Sequence, residues 1–198
     1  MKAIQKIRDE HRSISAVLHA LKQLARDAQD ARVKPDFAVF RAILHYIDQF
    51  PEELHHPKED EFLFPRLEAR APQMKKVIDV LRAEHRQGEK LVRELERALV
   101  LFEDSWPEGA GEFLERVNDY ADFHWKHMRK EEQEILPAAE RAFTAADWKA
   151  IDEAFDANQD PIAGVKERDF HALFSRIVSL APAPVGFAEP WKKTGAQT

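Results

Sequence analysis

One arrangement of residues is written twice in this chain. Arg8-Asp9-Glu10-His11-Arg12 returns 74 positions later as Arg82-Ala83-Glu84-His85-Arg86. His55, Glu59 and Pro65 return 72 positions later as His127, Glu131 and Pro137. Each copy holds a lone histidine and then, on a later segment, a His-x-x-x-Glu pair. A repeat of this length built from helical pairs implies two like halves closing on one site with two-fold-like symmetry. Four histidines and two glutamates in duplicate suit a pair of metal ions.

The hydrophobic pattern between these motifs is helical throughout. Ile4, Ile7, His11, Ile14, Leu18, Leu21, Ala25 and Ala28 step by threes and fours, which is the core seam of a bundle helix. Val33-Lys34-Pro35-Asp36 marks a turn, with Asp36 as N-cap of a second helix through Phe40, Ile43, Leu44, Ile47 and Phe50. Pro51 and Pro57 interrupt that helix and predict a kink around His55 and His56. The third seam runs Ile78, Leu81, His85, Gly88, Val92, Leu95, Leu99 and Phe102; the fourth runs Phe113, Val117, Tyr120, His124, His127 and Glu131. The expected fold is all-α: an up-down-up-down four-helix bundle over residues 1–143, a C-terminal helical extension over 144–180 and an irregular tail over 181–198. Thr144 is the expected N-cap of a helix over 145–158, and a last helix is expected over 166–180.

Composition narrows the chemistry. The chain has 198 residues, 44% of them hydrophobic, enough to bury a core. It has no cysteine, which excludes disulfides, thiolate metal sites and iron–sulfur clusters. A formal net charge of −6 argues against nucleic acid as the main partner. No apolar run is long enough to span a membrane, and charge follows Met1 at once, so the expected location is cytoplasmic. The oligomeric state is not written in the sequence.

On a helix, residues four apart lie on one face, about 40° and about 6 Å from each other. His55 with Glu59, and His127 with Glu131, can therefore each aim at one point. A single seam histidine is ordinarily a hydrogen-bonded core residue. Six ionisable groups on one level of a small bundle are another matter, because burying them without a compensating cation is strongly unfavourable. The repeat aligns His55 with His127 and His56 with Met128, so His55 is the main ligand, and His56 reads equally as ligand or bystander. Glu89, one turn from His85, reads equally as ligand or solvated salt-bridging residue. His124 is expected as a hydrogen-bond partner of a ligand, Tyr120 as core, and His19, His45 and His171 as structural or surface residues. Gly88, where the other copy has Ile14, reads as close helix packing or as a small pocket beside the metals. Carboxylate and imidazole donors without thiolate leave iron, manganese, zinc and copper open.

The motifs "DEHRS" with His11, "HHPKEDEFLFP" at 55–65, "AEHRQGEKL" at 83–91 and "HMRKEEQEILP" at 127–137 make the chain resemble the hemerythrin-like family of HHE cation-binding domains. The resemblance covers residues 1 to about 143. It implies a non-haem di-iron centre of two iron ions, with His11, His55, Glu59, His85, His127 and Glu131 as ligands and Glu59 and Glu131 as bridges. It implies a small ligand, dioxygen, nitric oxide or peroxide, bound for sensing, scavenging or iron handling. An oxidase- or peroxidase-type enzyme and a module with a purely structural metal are the alternatives. Two departures argue against reversible oxygen carriage: Glu89 stands where oxygen carriers have a histidine, and Glu131 where they have a bridging aspartate.

Overall fold

The computed structural model describes residues 2–30 and 33–156, and all regular structure among them is helical. The first long helix is α1 (Lys2–Asp30). A second segment runs from α2 (Phe37–Ile47) through a π-helical stretch (Asp48–His55), the short α3 (His56–Lys58), a second π-helical stretch (Glu59–Leu63) and α4 (Phe64–Arg70). A 3-10 turn (Pro72–Met74) leads into α5 (Lys75–Ser105). The fourth segment is α6 (Ala110–Lys130), a π-helical stretch (Glu131–Ile135) and α7 (Leu136–Ala142), and α8 (Ala145–Asp156) follows. The expectations for residues 157–198 lie outside the described residues.

The helix boundaries follow the local chemistry. Asp36 caps α2 by accepting a hydrogen bond from the Ala38 amide at 2.9 Å. Thr144 and Asp147 cap α8 reciprocally: the Asp147 amide donates to Thr144 Oγ1, and the Thr144 amide donates to the Asp147 carboxylate. The kink expected at Pro51 takes the form of a π-helical turn, in which the His56 amide reaches back five residues to the Pro51 carbonyl. The duplicated prolines act alike. Pro65 and Pro137 have no N–H for the carbonyl four residues back, and the residue before each donates five residues back, Phe64 to Glu59 and Leu136 to Glu131. A wide turn thus follows each His-x-x-x-Glu pair, a deformation common at functional sites.

The apolar interior is in two parts. One cluster contains Ile14, Leu18, Leu21, Phe40, Leu44, Phe50, Leu95, Phe102, Phe113 and Val117; the other contains Ile4, Ile7, Leu63, Phe64, Ile78, Leu81, Ile135 and Leu136. Buried histidines and glutamates lie between them in the sequence of every segment. Along α1 and α5 the chain passes from the second cluster, through the ionisable level, to the first. Along the second and fourth segments it passes the other way. α8 extends the second cluster: Trp148, Ile151 and Phe155 are buried, and Asp152 accepts the Ala3 amide at 2.7 Å.

Candidate metal centre

Eight residues were named from the sequence, and the structure brings seven of them together. His11 comes from α1, His55, His56 and Glu59 from the kinked second segment, His85 from α5, His127 from the last turn of α6 and Glu131 from the start of the π-helical stretch that follows it. All seven are buried, and Glu59 and Glu131 are wholly so. Three groups have ligand atoms within 4.8 Å of one another: His11, His55, Glu59 and Glu131; Glu59, His85, His127 and Glu131; and His56, His85 and His127. Glu59 and Glu131 belong to both carboxylate-containing groups, the position a bridging carboxylate needs. His56 lies on the His85–His127 side, its ring stacked 4.3 Å from that of His85. Glu89 is excluded. It points outward on α5 with its side chain 54% exposed, 3.9 Å from Arg93. His19 and His45 are exposed as expected, and His171 lies outside the described residues.

Each inward histidine is held from behind by a carboxylate. The Nδ1–H of His11 donates to Glu132 at 3.0 Å, that of His55 to Glu10 at 2.8 Å, that of His85 to Asp60 at 3.1 Å and that of His127 to Glu84 at 3.0 Å. His56 follows the same rule, donating to Glu52 at 3.2 Å. An ionised carboxylate only accepts, so each pairing assigns the proton to Nδ1 and leaves Nε2 as the free donor atom. The inner atoms are the ones left over. His85 Nε2, His127 Nε2 and all four carboxylate oxygens of Glu59 and Glu131 are buried without a well-aligned hydrogen bond, although His127 Nε2 lies 3.1 Å from Glu131. Buried polar atoms are nearly always satisfied. Six orphaned atoms converging from three segments, with His11 facing them from α1, are the donor set of a cation site, so the residues present fit a pair of metal ions.

The charge state of the metal-free centre follows from burial and proximity. Burial raises Glu59 well above the ordinary carboxylate range, and the facing Glu131 adds to the rise. Burial would raise Glu131 too, but His127, His11 and His85 hold it well below that range. One carboxyl is therefore neutral and the other ionised, as in a carboxyl dyad. Burial alone would lower His127, yet Glu131 and Glu84 hold its imidazolium up to about 9. His11 and His85 are raised the same way, against burial, by Glu131 with Glu132 and by Asp60 with Glu131. His56 is depressed by burial and by His85, which keeps it neutral and able to ligate.

These shifts set a pH dependence. A histidine whose folded pKa exceeds its unfolded value stabilises the fold fully below about 6.5 and ceases to do so as pH rises through the folded value. The metal-free protein should therefore lose stability between about pH 6.5 and 9. The His127 contribution is on the order of 3 kcal/mol at most. Thermal unfolding in chelator across this range checks it; a midpoint that holds steady or rises would refute the assignment. Metal affinity should rise over the same range, because loading displaces the protons on Glu59 and His127.

The sequence reading missed the carboxylates behind the histidines, although the signal was duplicated. Glu10 and Glu84 stand 74 apart, and Asp60 and Glu132 stand 72 apart, the two offsets of the repeat. Glu52 was also missed. Its buried carboxylate accepts from the Tyr120 hydroxyl at 3.0 Å and from His56, and lies 3.2 Å from His124 Nε2. Burial would raise it, but His124 and His56 hold it well below the ordinary range. Tyr120 and His124 are thus tied to Glu52, and through it to His56; the two ring centroids of His124 and His127 stand 6.2 Å apart. Gly88 leaves no pocket. A Cβ there would stand 2.8 Å from Glu52 Oε1 and 2.9 Å from Oε2, so the missing side chain makes room for this carboxylate.

Fold and site define a helical metal-binding protein. The chain belongs to the hemerythrin family: the sequence model of the hemerythrin HHE cation-binding domain matches residues 2–139. A comparison with curated proteins finds no match. No described helix is long and apolar enough to cross a membrane.

Proposed function

We propose that the chain is a non-haem di-iron protein that binds a small ligand, dioxygen, nitric oxide or peroxide, at an up-down-up-down bundle's centre. The alternating order of the two apolar clusters along the four segments supports the bundle topology. His11 and His55 would hold one ion, and His85, His127 and His56 the other, with Glu59 and Glu131 shared. Nitrogen and oxygen donors with no thiolate suit iron.

The observation that carries the reading is the inequality of the two halves. Five histidines are oriented by carboxylates, three toward one ion position and two toward the other. The two-histidine position is short of a protein ligand, and a purely structural site would be closed on both sides. Iron held there by these residues would supply ligand binding and a change of oxidation state. The chain's own residues keep that position aligned and dry: the carboxylates fix the imidazole planes, and the flanking apolar clusters exclude bulk water.

Metal analysis with a visible spectrum of protein purified in air tests this. The expected result is two irons per chain and ferric charge-transfer bands that shift on adding azide. Zinc in place of iron, or a spectrum indifferent to azide, would overturn the reading. Sustained turnover of peroxide would move it from ligand binding to enzyme.

A further inference from the structure

We propose that the groove between α1 and α6 is the entrance by which a small anion reaches the ion held by His11 and His55, with Met128 closing its inner end. The proposal rests on the ligand-binding reading above. The groove has a volume of about 570 Å³, and of the seven clustered candidates His11 alone lines it. The inner edge of that ring, Nε2, lies 3.2 Å from His55 Nε2 and 3.3 Å from Glu131. One imidazole therefore separates the groove from the centre.

Met128 is identified by the repeat. It stands 72 residues after His56, the third histidine of the other half. Two-fold symmetry puts the Met128 side chain against the two-histidine side, where the corresponding histidine is missing. The groove agrees, since Met128 lines it beside His11. Its thioether is an unbranched side chain with three rotatable bonds. It fills the space when no ligand is present and moves aside at little expense. On the other half, His56 is pinned by Glu52 and cannot move so.

The rim decides the class of ligand. Arg12 and Arg129 line the groove. Arg12 pairs with Asp9, and Arg129 has no acidic partner among the described residues. Glu132 lies in the same lining and stays ionised while it accepts from His11 Nδ1. Arg129 is therefore the rim cation free to attract an anion on a chain of net charge −6. Azide, nitrite and the hydroperoxide anion fit; neutral diatomics gain nothing from it.

The absence of cysteine makes the test clean. Ser15 lines the groove, where its hydroxyl accepts from Trp125 Nε1 at 3.0 Å. Ser15→Cys gives the chain a single thiol, which a bulky maleimide can cap. The thiol should react readily in metal-free protein; an unreactive one would refute an open groove. Capping should leave the iron content unchanged and slow azide association by about tenfold or more in stopped flow. The same cap on Ser105→Cys, at the far end of α5, should leave the rate unchanged. Met128→Ala should speed azide association several-fold. Arg129→Glu should slow azide but not nitric oxide, and only at low ionic strength. Equal azide rates with and without the Ser15→Cys cap would overturn the entrance while leaving the ligand-binding reading intact. If the capped protein does not keep its iron, Met128→Ala decides alone, and an unchanged rate overturns the proposal. A wild-type iron protein that binds no azide overturns both.

Discussion

Glu131→Ala and Glu59→Ala should each strip the centre of metal, whereas Glu89→Ala should leave it full. The two buried glutamates belong to both candidate ion positions, so either loss removes a ligand from each ion at once. Glu89 is exposed and contributes to neither. A ligand held at 100 to 1,000 times its dissociation constant stabilises the fold by about 3–4 kcal/mol. For a chain of this size that corresponds to a fall in Tm of roughly 6–16 °C. Glu131→Ala should exceed Glu59→Ala in the metal-free state as well. Glu131 is the ionised carboxylate that His11, His85 and His127 face, and its loss leaves buried imidazolium groups without their counter-charge. Metal analysis and thermal unfolding, with and without chelator, check both points. Two metals per chain retained in both glutamate variants would remove them from the ligand set.

Gly88→Ala should destabilise the protein, and the sign should reverse once Glu52 is gone. In an ordinary mid-helix position alanine is better than glycine by about 1 kcal/mol. Here the new Cβ would lie 2.8 Å from the Glu52 carboxylate. That group is the end of a flexible side chain, but it is held by Tyr120, His56 and His124 together. Displacing it unseats three partners, and we expect a net loss of about 1–3 kcal/mol. Glu52→Ala alone should be worse, about 3–5 kcal/mol, because it leaves buried donors without an acceptor. In the Glu52→Ala background there is nothing for the Cβ to meet, and Gly88→Ala should then stabilise. A double-mutant cycle by denaturant unfolding reads this directly. Additive effects would mean that Gly88 and Glu52 do not compete for the same space. Because Glu52 orients His56, the single variants should also weaken metal at the three-histidine position.

The parts of the centre legible in the sequence were those with helical spacing and a duplicate. His55 with Glu59 and His127 with Glu131 are separated by one turn, a distance that local geometry sets whatever the rest of the chain does. His11 and His85 were legible because they interrupt otherwise apolar seams. The carboxylates behind them were harder to see. Asp60 and Glu132 lie in charge-rich stretches that read as solvated faces, and their pairing with His85 and His11 crosses between segments 25 and 121 residues apart. Adjacent helical residues point about 100° apart, so the sequence left His56 open between ligand and bystander. In the structure a π-helical turn ends at His55, and the Glu52-held ring of His56 is buried and stacked on His85.

By itself, the amino-acid sequence determined the helical class, the caps at Asp36 and Thr144, the repeat and six of the buried candidate ligands. All of these are set by periodicity and by contacts within one or two turns of the chain. Tertiary structure decided what breaks the symmetry: Glu89 is turned to solvent, His56 is recruited to one side, Met128 stands on the other, and Gly88 yields its space to Glu52. Those outcomes depend on how far each helix rotates about its axis and which side chain of a neighbouring segment fills a shared volume. No spacing within a single helix encodes that.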